Sequence, residues 1–257
     1  MSLFQESFKV LNDHQSVRLF NIILGASQFF GISAILLVAI WMAGFDGGFT
    51  TGLQFHYHPT FMVMGMIFLA GDGILVYRVF RYERKRFSKL LHLTLHTMVL
   101  IFAVVALKAV FDSHNNHKND KDEPDPLPNM YSLHSWVGLT SVIAFFIQYL
   151  FGFTIFFFPG WHIPMRHFML PYHQVFGLII LCFLAITAVM GISEQAAWHH
   201  KCWTVDHILC SQQSFSTLLG ISILMFATCI LIIVLNPRWR RQPLPEEETL
   251  HRLNNID

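Results

Sequence analysis

The sequence predicts an all-α membrane protein with six transmembrane helices, in which spans 2–5 form a four-helix core and spans 1 and 6 flank it. Three observations carry this prediction. Hydrophobic residues make up 54% of the 257 and charged residues 13%, too few polar side chains to cover a soluble domain of this length. Six stretches each supply the roughly 20 apolar residues that a helix needs to cross a bilayer core of about 30 Å. Histidines fall within spans 2–5 and in neither span 1 nor span 6.

In chain order the spans are expected at Phe20–Phe45, His58–Phe80, Leu90–Phe111, Tyr131–Phe158, Phe168–Ile192 and Phe215–Leu235. The chain then divides into an N-terminal segment 1–19, a six-helix domain 20–236 and a tail 237–257. Met1–Arg18 is polar and mixed in charge, so the first helix is expected to direct insertion itself. Short loops that stay in the cytosol retain Lys and Arg. The connection after span 2 carries Arg78, Arg81, Arg84, Lys85, Arg86 and Lys89, and Arg238, Arg240 and Arg241 follow span 6. With Lys9, Arg18, Arg166 and Arg252, 13 of the 17 basic residues share one side, which places both termini in the cytosol. Lys108, Lys118, Lys121 and Lys201 lie opposite, with the loops Asp46–Tyr57, Asp112–Met130 and Ser193–Ser214.

Asp112–Met130, acidic and rich in proline, reads as an exposed connector, and the charged tail from Pro237 as a disordered end. A net charge of +1 leaves no basic surplus for nucleic acid, and the four cysteines form no C-x-x-C pair.

Ionisable side chains at membrane depth are costly, which makes each a functional candidate. A single histidine in a span is more often a hydrogen-bonded core residue, but here several occur at matched depths. His58 and His134 begin spans that start from the same side, so they share a layer. His96 and His173 each lie about two turns into spans that start from the other side, and make a second layer. The intervals along His58, His96, His134 and His173 are 38, 38 and 39 residues. Imidazoles from two antiparallel helices, one on each side of a haem, leave iron no open position and favour electron transfer over oxygen binding. Two b-type haems on the order of 15–20 Å apart would follow. His92 lies one turn from His96 on the same face, and geometry leaves open which of the two ligates.

The strings Ile74–Arg81 (I-L-V-Y-R-V-F-R), Tyr131–Trp136 (Y-S-L-H-S-W) and Phe158–Gly160 (F-P-G) resemble the cytochrome b561 family, specifically its animal chromaffin-granule branch, over about Ser27–Trp239. The resemblance implies a six-helix, di-haem carrier that takes electrons from cytosolic ascorbate. It implies that His58 and His134 hold the lumenal haem and His96 and His173 the cytosolic one. The family motif K-x-L-H-x-x-L-H fits Lys89–His96, which makes the later histidine the ligand and His92 its neighbour. It further implies that Arg78, Arg81, Lys85 and Lys89 bind ascorbate, Arg78 and Lys89 foremost, although the same residues serve the positive-inside rule. Leu93 stands where some relatives carry a further lysine. His114, after Val110-Phe-Asp112, would handle the proton at the lumenal acceptor. Family members are often dimers, so a homodimer is compatible with the resemblance.

Asp72, between Gly71 and Gly73, is expected to hydrogen-bond inside the bundle, and Lys108 to snorkel. Cys202 and Cys210 share a loop and can form a disulfide. The leading functional expectation is a transmembrane oxidoreductase passing electrons from ascorbate to monodehydroascorbate radical in a secretory vesicle. A ferric or cupric reductase at a plasma or endosomal membrane, acting on a chelate, comes second, and a divalent-metal transporter is a remote third.

Overall fold

The computed structural model describes residues 12–45, 47–50 and 54–245. Lys9, Asp46, Arg252 and the tail beyond residue 245 lie outside the described residues. Among those described, six helices are long and apolar enough to cross a membrane: α1 (Asp13–Phe45), α2 (Gln54–Val79), α3 (Lys85–Asn115), α4 (Leu133–Phe157), α5 (Ile163–His199) and α6 (Ser211–Leu235).

Most of these helices run past the apolar windows that predict them, because local signals beyond those windows extend them. α1 begins seven residues before Phe20, where a capping box closes its first turn. Asn12 Oδ1 accepts the Gln15 N–H at 2.8 Å and Gln15 Oε1 accepts the Asn12 N–H at 3.0 Å. α4 is capped by Ser132, whose Oγ accepts the Ser135 N–H at 3.2 Å. α5 carries proline in its first turn and continues through Pro171 to His199. The loops expected at Asp112 and Ser193 therefore begin as helix, and His114 sits on the last turn of α3. Three helices widen into π-helical turns, at Trp41–Phe45, Met62–Leu69 and Phe153–Phe157.

In the packing, α1 lies along α6, α2 along α3 and α4 along α5, while α3 and α4 approach each other at few points. Glycines set how closely α1, α2 and α6 meet. A Cβ on Gly31 would fall 2.6 Å from the Phe68 ring, and one on Gly71 would fall 2.6 Å from the Phe226 ring. Small residues at such crossings let van der Waals packing replace the hydrophobic drive that lipid removes. Phe226, with no exposed surface, sits at this junction with Ile223 and Ile230. Asp72 accepts a hydrogen bond from Gln28 Nε2 at 2.9 Å, so the carboxyl expected to bond inside the bundle ties α2 to α1.

Both described ends of the chain meet at one end of the bundle. Arg238 pairs with Asp13 at 2.9 Å, and the Trp239 indole donates to Ser16 Oγ at 3.1 Å. The tail expected to be disordered from Pro237 is therefore packed at its start, because a tryptophan that is 2% exposed anchors it. At the opposite end Cys202 and Cys210 form a disulfide. There His200 is fully buried against Trp41, with Nδ1 2.9 Å from Gln213 Oε1.

Phe226→Ala is expected to lower the thermal midpoint of the detergent-solubilised protein, at a cost of about 3 kcal/mol in packing, as the cavity would be shared by three helices. Ile22→Ala, on the lipid-facing side of α1 where Ile22 is 58% exposed, is expected to leave the midpoint within experimental scatter of wild type.

Candidate functional site

Two pairs of imidazoles face each other inside the bundle. His58 on α2 and His134 on α4 face each other with ring centroids 6.2 Å apart and planes at 90°. His58 Nδ1 lies 3.2 Å from the Ala106 carbonyl and His134 Nδ1 lies 2.9 Å from the Thr187 carbonyl. A carbonyl only accepts, so Nδ1 carries the proton in each case and Nε2 keeps its lone pair. That is the tautomer a metal ligand needs, with its other nitrogen fixed by the protein.

The second pair differs from the expectation. The ring opposite His173 on α5 is that of His92, with centroids again 6.2 Å apart. His92 Nδ1 lies 2.8 Å from the Gly73 carbonyl, the same arrangement as in the first pair. His96 is turned toward α2, where a Cβ on Gly73 would fall 2.7 Å from its Nε2. Its ring packs on His92 at 4.4 Å and on Phe145 at 5.5 Å, and its Nδ1 is buried with no hydrogen-bond partner among the described residues. The spacing along the helices agrees with His92. Counting from His92 to Ala106 on α3, and from His173 to Thr187 on α5, gives 14 residues each, or roughly 21 Å of rise. Measured from His96 the α3 interval would be four residues shorter.

These residues fit a planar iron cofactor. A metal–imidazole bond is about 2 Å long, so two imidazoles flanking one metal have centroids on the order of 6 Å apart, which is the separation of both pairs. Glycine stands beside the rings: a Cβ on Gly191 would be 2.6 Å from His134 Cε1, and one on Gly152 would be 2.9 Å from His173 Cε1. Any larger residue would displace the ring. Beside His58 and His134 an apolar cavity opens between the helices, with Tyr131, Gly138, Leu184 and Trp198 among its lining. Among the described residues no three His, Cys, Asp or Glu side chains gather as a metal cluster.

At the end of the bundle nearer His92 lie the basic residues of the α2–α3 connection. Lys89 reaches across to α4, where Nζ donates to the Phe156 carbonyl at 2.8 Å, and the Phe156 ring lies 5.3 Å from that of His173. Lys85, Arg86 and Arg166 add positive charge around Lys89. Arg78 is buried, and its guanidinium donates to the carbonyls of Asn236, at 2.8 Å, and Val234. It thereby satisfies the last carbonyls of α6, a helix end that would otherwise be left unpaired. This role has no signal in the sequence. Arg81 donates to the Arg78 carbonyl at 3.1 Å and lies over the Phe20 ring at 4.3 Å, while Lys85 is exposed. Of the four expected donor contacts, Lys89 bonds the carbonyl of Phe156, whose ring packs on His173, and Arg78 serves as a cap.

At the other end His114 lines the cavity together with His58 and His134, and its Nδ1 is buried with no hydrogen-bond partner among the described residues. His117 is exposed.

A family model described as eukaryotic cytochrome b561 matches residues 57–199, which include both imidazole pairs. A CYB561 homolog of Caenorhabditis elegans is 54% identical, with 98% of this chain and 97% of that protein aligned. The transmembrane ascorbate-dependent reductase CYB561 of Mus musculus is 37% identical over 87% of this chain and 86% of its own length. The plasma membrane ascorbate-dependent reductase CYBRD1 of Xenopus tropicalis is 33% identical over 91% and 81%. With its six membrane-spanning helices and paired imidazoles, the chain belongs to the eukaryotic cytochrome b561 family.

Proposed function

We propose that the protein is a transmembrane oxidoreductase that takes single electrons from ascorbate at its basic end and delivers them to monodehydroascorbate radical at the opposite end. The observation that carries this reading is the pair of opposed imidazole couples, each at 6.2 Å, set about 20 Å apart along α3 and α5. His58 with His134 would hold one haem b, and His92 with His173 a second. Bound in this way, haem supplies one-electron chemistry with no open coordination position.

The protein's own groups handle charge at the two mouths. Ascorbate is an anion at neutral pH, and it loses one electron and one proton on becoming the radical. Lys89 attracts it to the imidazoles, supported by Lys85, Arg86 and Arg166, with Arg81 at the same end. Arg78 acts on the donor side by holding the end of α6 in place. At the far mouth the radical gains one electron and one proton to become ascorbate, and His114, on the cavity wall beside His58, is placed to pass that proton. The Cys202–Cys210 disulfide at this end supports its facing an oxidising compartment, with the basic end in the cytosol, as in a secretory vesicle membrane. The similarity to both CYB561 and CYBRD1 keeps a ferric or cupric reductase as the second reading.

Purified wild-type protein is expected to contain two haems per chain by pyridine haemochrome assay. His92→Ala should reduce this to one and His96→Ala should leave two. The reverse result would restore His96 as the ligand. Lys89→Gln is expected to raise the ascorbate concentration for half-maximal reduction roughly threefold to tenfold with haem content intact, measured by stopped-flow absorbance. Vesicles loaded with ascorbate and given external radical, ferric chelate or cupric chelate in turn should identify the acceptor by its rate.

A further inference from the structure

The segment after α6 takes a defined path over the basic end. Asn236 Oδ1 accepts the Arg238 N–H at 3.0 Å and starts the single turn Pro237–Trp239. The Trp239 ring then packs edge-on against Phe20 at 5.4 Å, its indole bonded to Ser16, while Arg238 pairs with Asp13. These anchors carry the chain past α1 to the α2–α3 connection, where Arg241 Nη2 donates to the Glu83 carbonyl at 2.9 Å.

Arg241 is half-buried there, and its charge reaches the hydroxyl of Tyr77. Tyr77 in turn lies 5.6 Å, ring to ring, from His92. Arg240 brings like charge near Arg78. The strap therefore adds guanidinium charge to the end of the bundle where Arg81 is half-buried and Lys85 is exposed. Like charges held together repel, and an anion between them relieves that repulsion.

We propose that residues 236–241 form a strap that carries Arg241 into the donor mouth, where it is a further binding residue for the anionic reductant. The inference rests on the ascorbate reading above and extends the donor site to the far end of the chain. It assigns the tail a role in the affinity for donor, separate from its contribution to packing through Trp239.

The test uses the full chain in lipid nanodiscs with its haems, reduced either by ascorbate or by uncharged tetramethylhydroquinone. Arg241→Gln is expected to raise the half-saturating ascorbate concentration roughly threefold to tenfold, with haem content and the rate with the quinol unchanged. Arg241→Lys should recover most of the affinity. Trp239→Ala, which releases the strap, should reproduce the ascorbate defect. Wild-type ascorbate dependence in Arg241→Gln, or equal slowing with both reductants, would overturn the proposal while leaving the donor reading intact. A wild-type protein that ascorbate does not reduce would overturn the donor reading itself, and the strap proposal with it.

Discussion

An imidazole inside a bilayer has two polar nitrogens and no water to satisfy them, and the bundle is organised around that constraint. His58, His92 and His134 each present Nδ1 to a main-chain carbonyl, of Ala106, Gly73 and Thr187 respectively. These carbonyls are free to accept a second bond because a carbonyl oxygen has two lone pairs while its helix uses one. The bond holds the ring at one angle and leaves Nε2 unprotonated and facing inward. The helix that supplies the carbonyl is in each case a different one from that which bears the histidine. Every such bond therefore also fixes two helices against each other, and the cofactor geometry and the bundle geometry become one property. Gly152 and Gly191 belong to the same constraint, because an imidazole held so close to a neighbouring helix leaves no room for a Cβ.

The fold was legible in the sequence because bilayer thickness and hydropathy leave few alternatives. The six spans, their order and the histidine-bearing group of four all follow from composition along the chain. Helix ends were less legible, since α1 and α5 extend by capping and by a tolerated proline in regions where hydropathy carries no signal. The arrangement of histidines in two layers is readable from the sequence, but which of His92 and His96 faces His173 is not. Both lie on one face of α3, one turn apart, and what separates them is their position against Gly73 and His173 on neighbouring helices. The motif resemblance selected the later histidine, whereas the equal 14-residue intervals on α3 and α5 select the earlier one. Those intervals depend on knowing which carbonyl each ring meets, which is tertiary information.

Arg78 illustrates a different limit. Its position in a basic stretch suggests a contact with an anion, and the positive-inside rule accounts for the charge equally well. Neither reading anticipates that two carbonyls at the end of α6 occupy the guanidinium. Burial decides the matter. Removing water from an arginine costs several kcal/mol unless its donors are bound, and a helix C-terminus offers unpaired carbonyls with negative partial charge. The residue thus belongs to the link between α2 and α6, and its influence on a donor acts through the chain that it holds.

That link explains why the two ends of the molecule differ in character. At the basic end the connections are short, the tail is tied to α1 by Trp239 and Arg238, and positive charge is concentrated against His92 and His173. At the disulfide end α3 and α5 continue past their expected spans to Asn115 and His199, and the cavity beside His58 and His134 is bordered by Tyr131 and Trp198, whose rings stack at 6.4 Å. An anion is attracted to the first end by long-range field, while a ligand at the second meets an apolar wall on which the buried Nδ1 of His114 has no hydrogen-bond partner among the described residues. For the one-directional carrier proposed above this asymmetry is an advantage: strong attraction would gather the donor where it loses a proton and an electron, and weaker contact would release the reduced product on the other side.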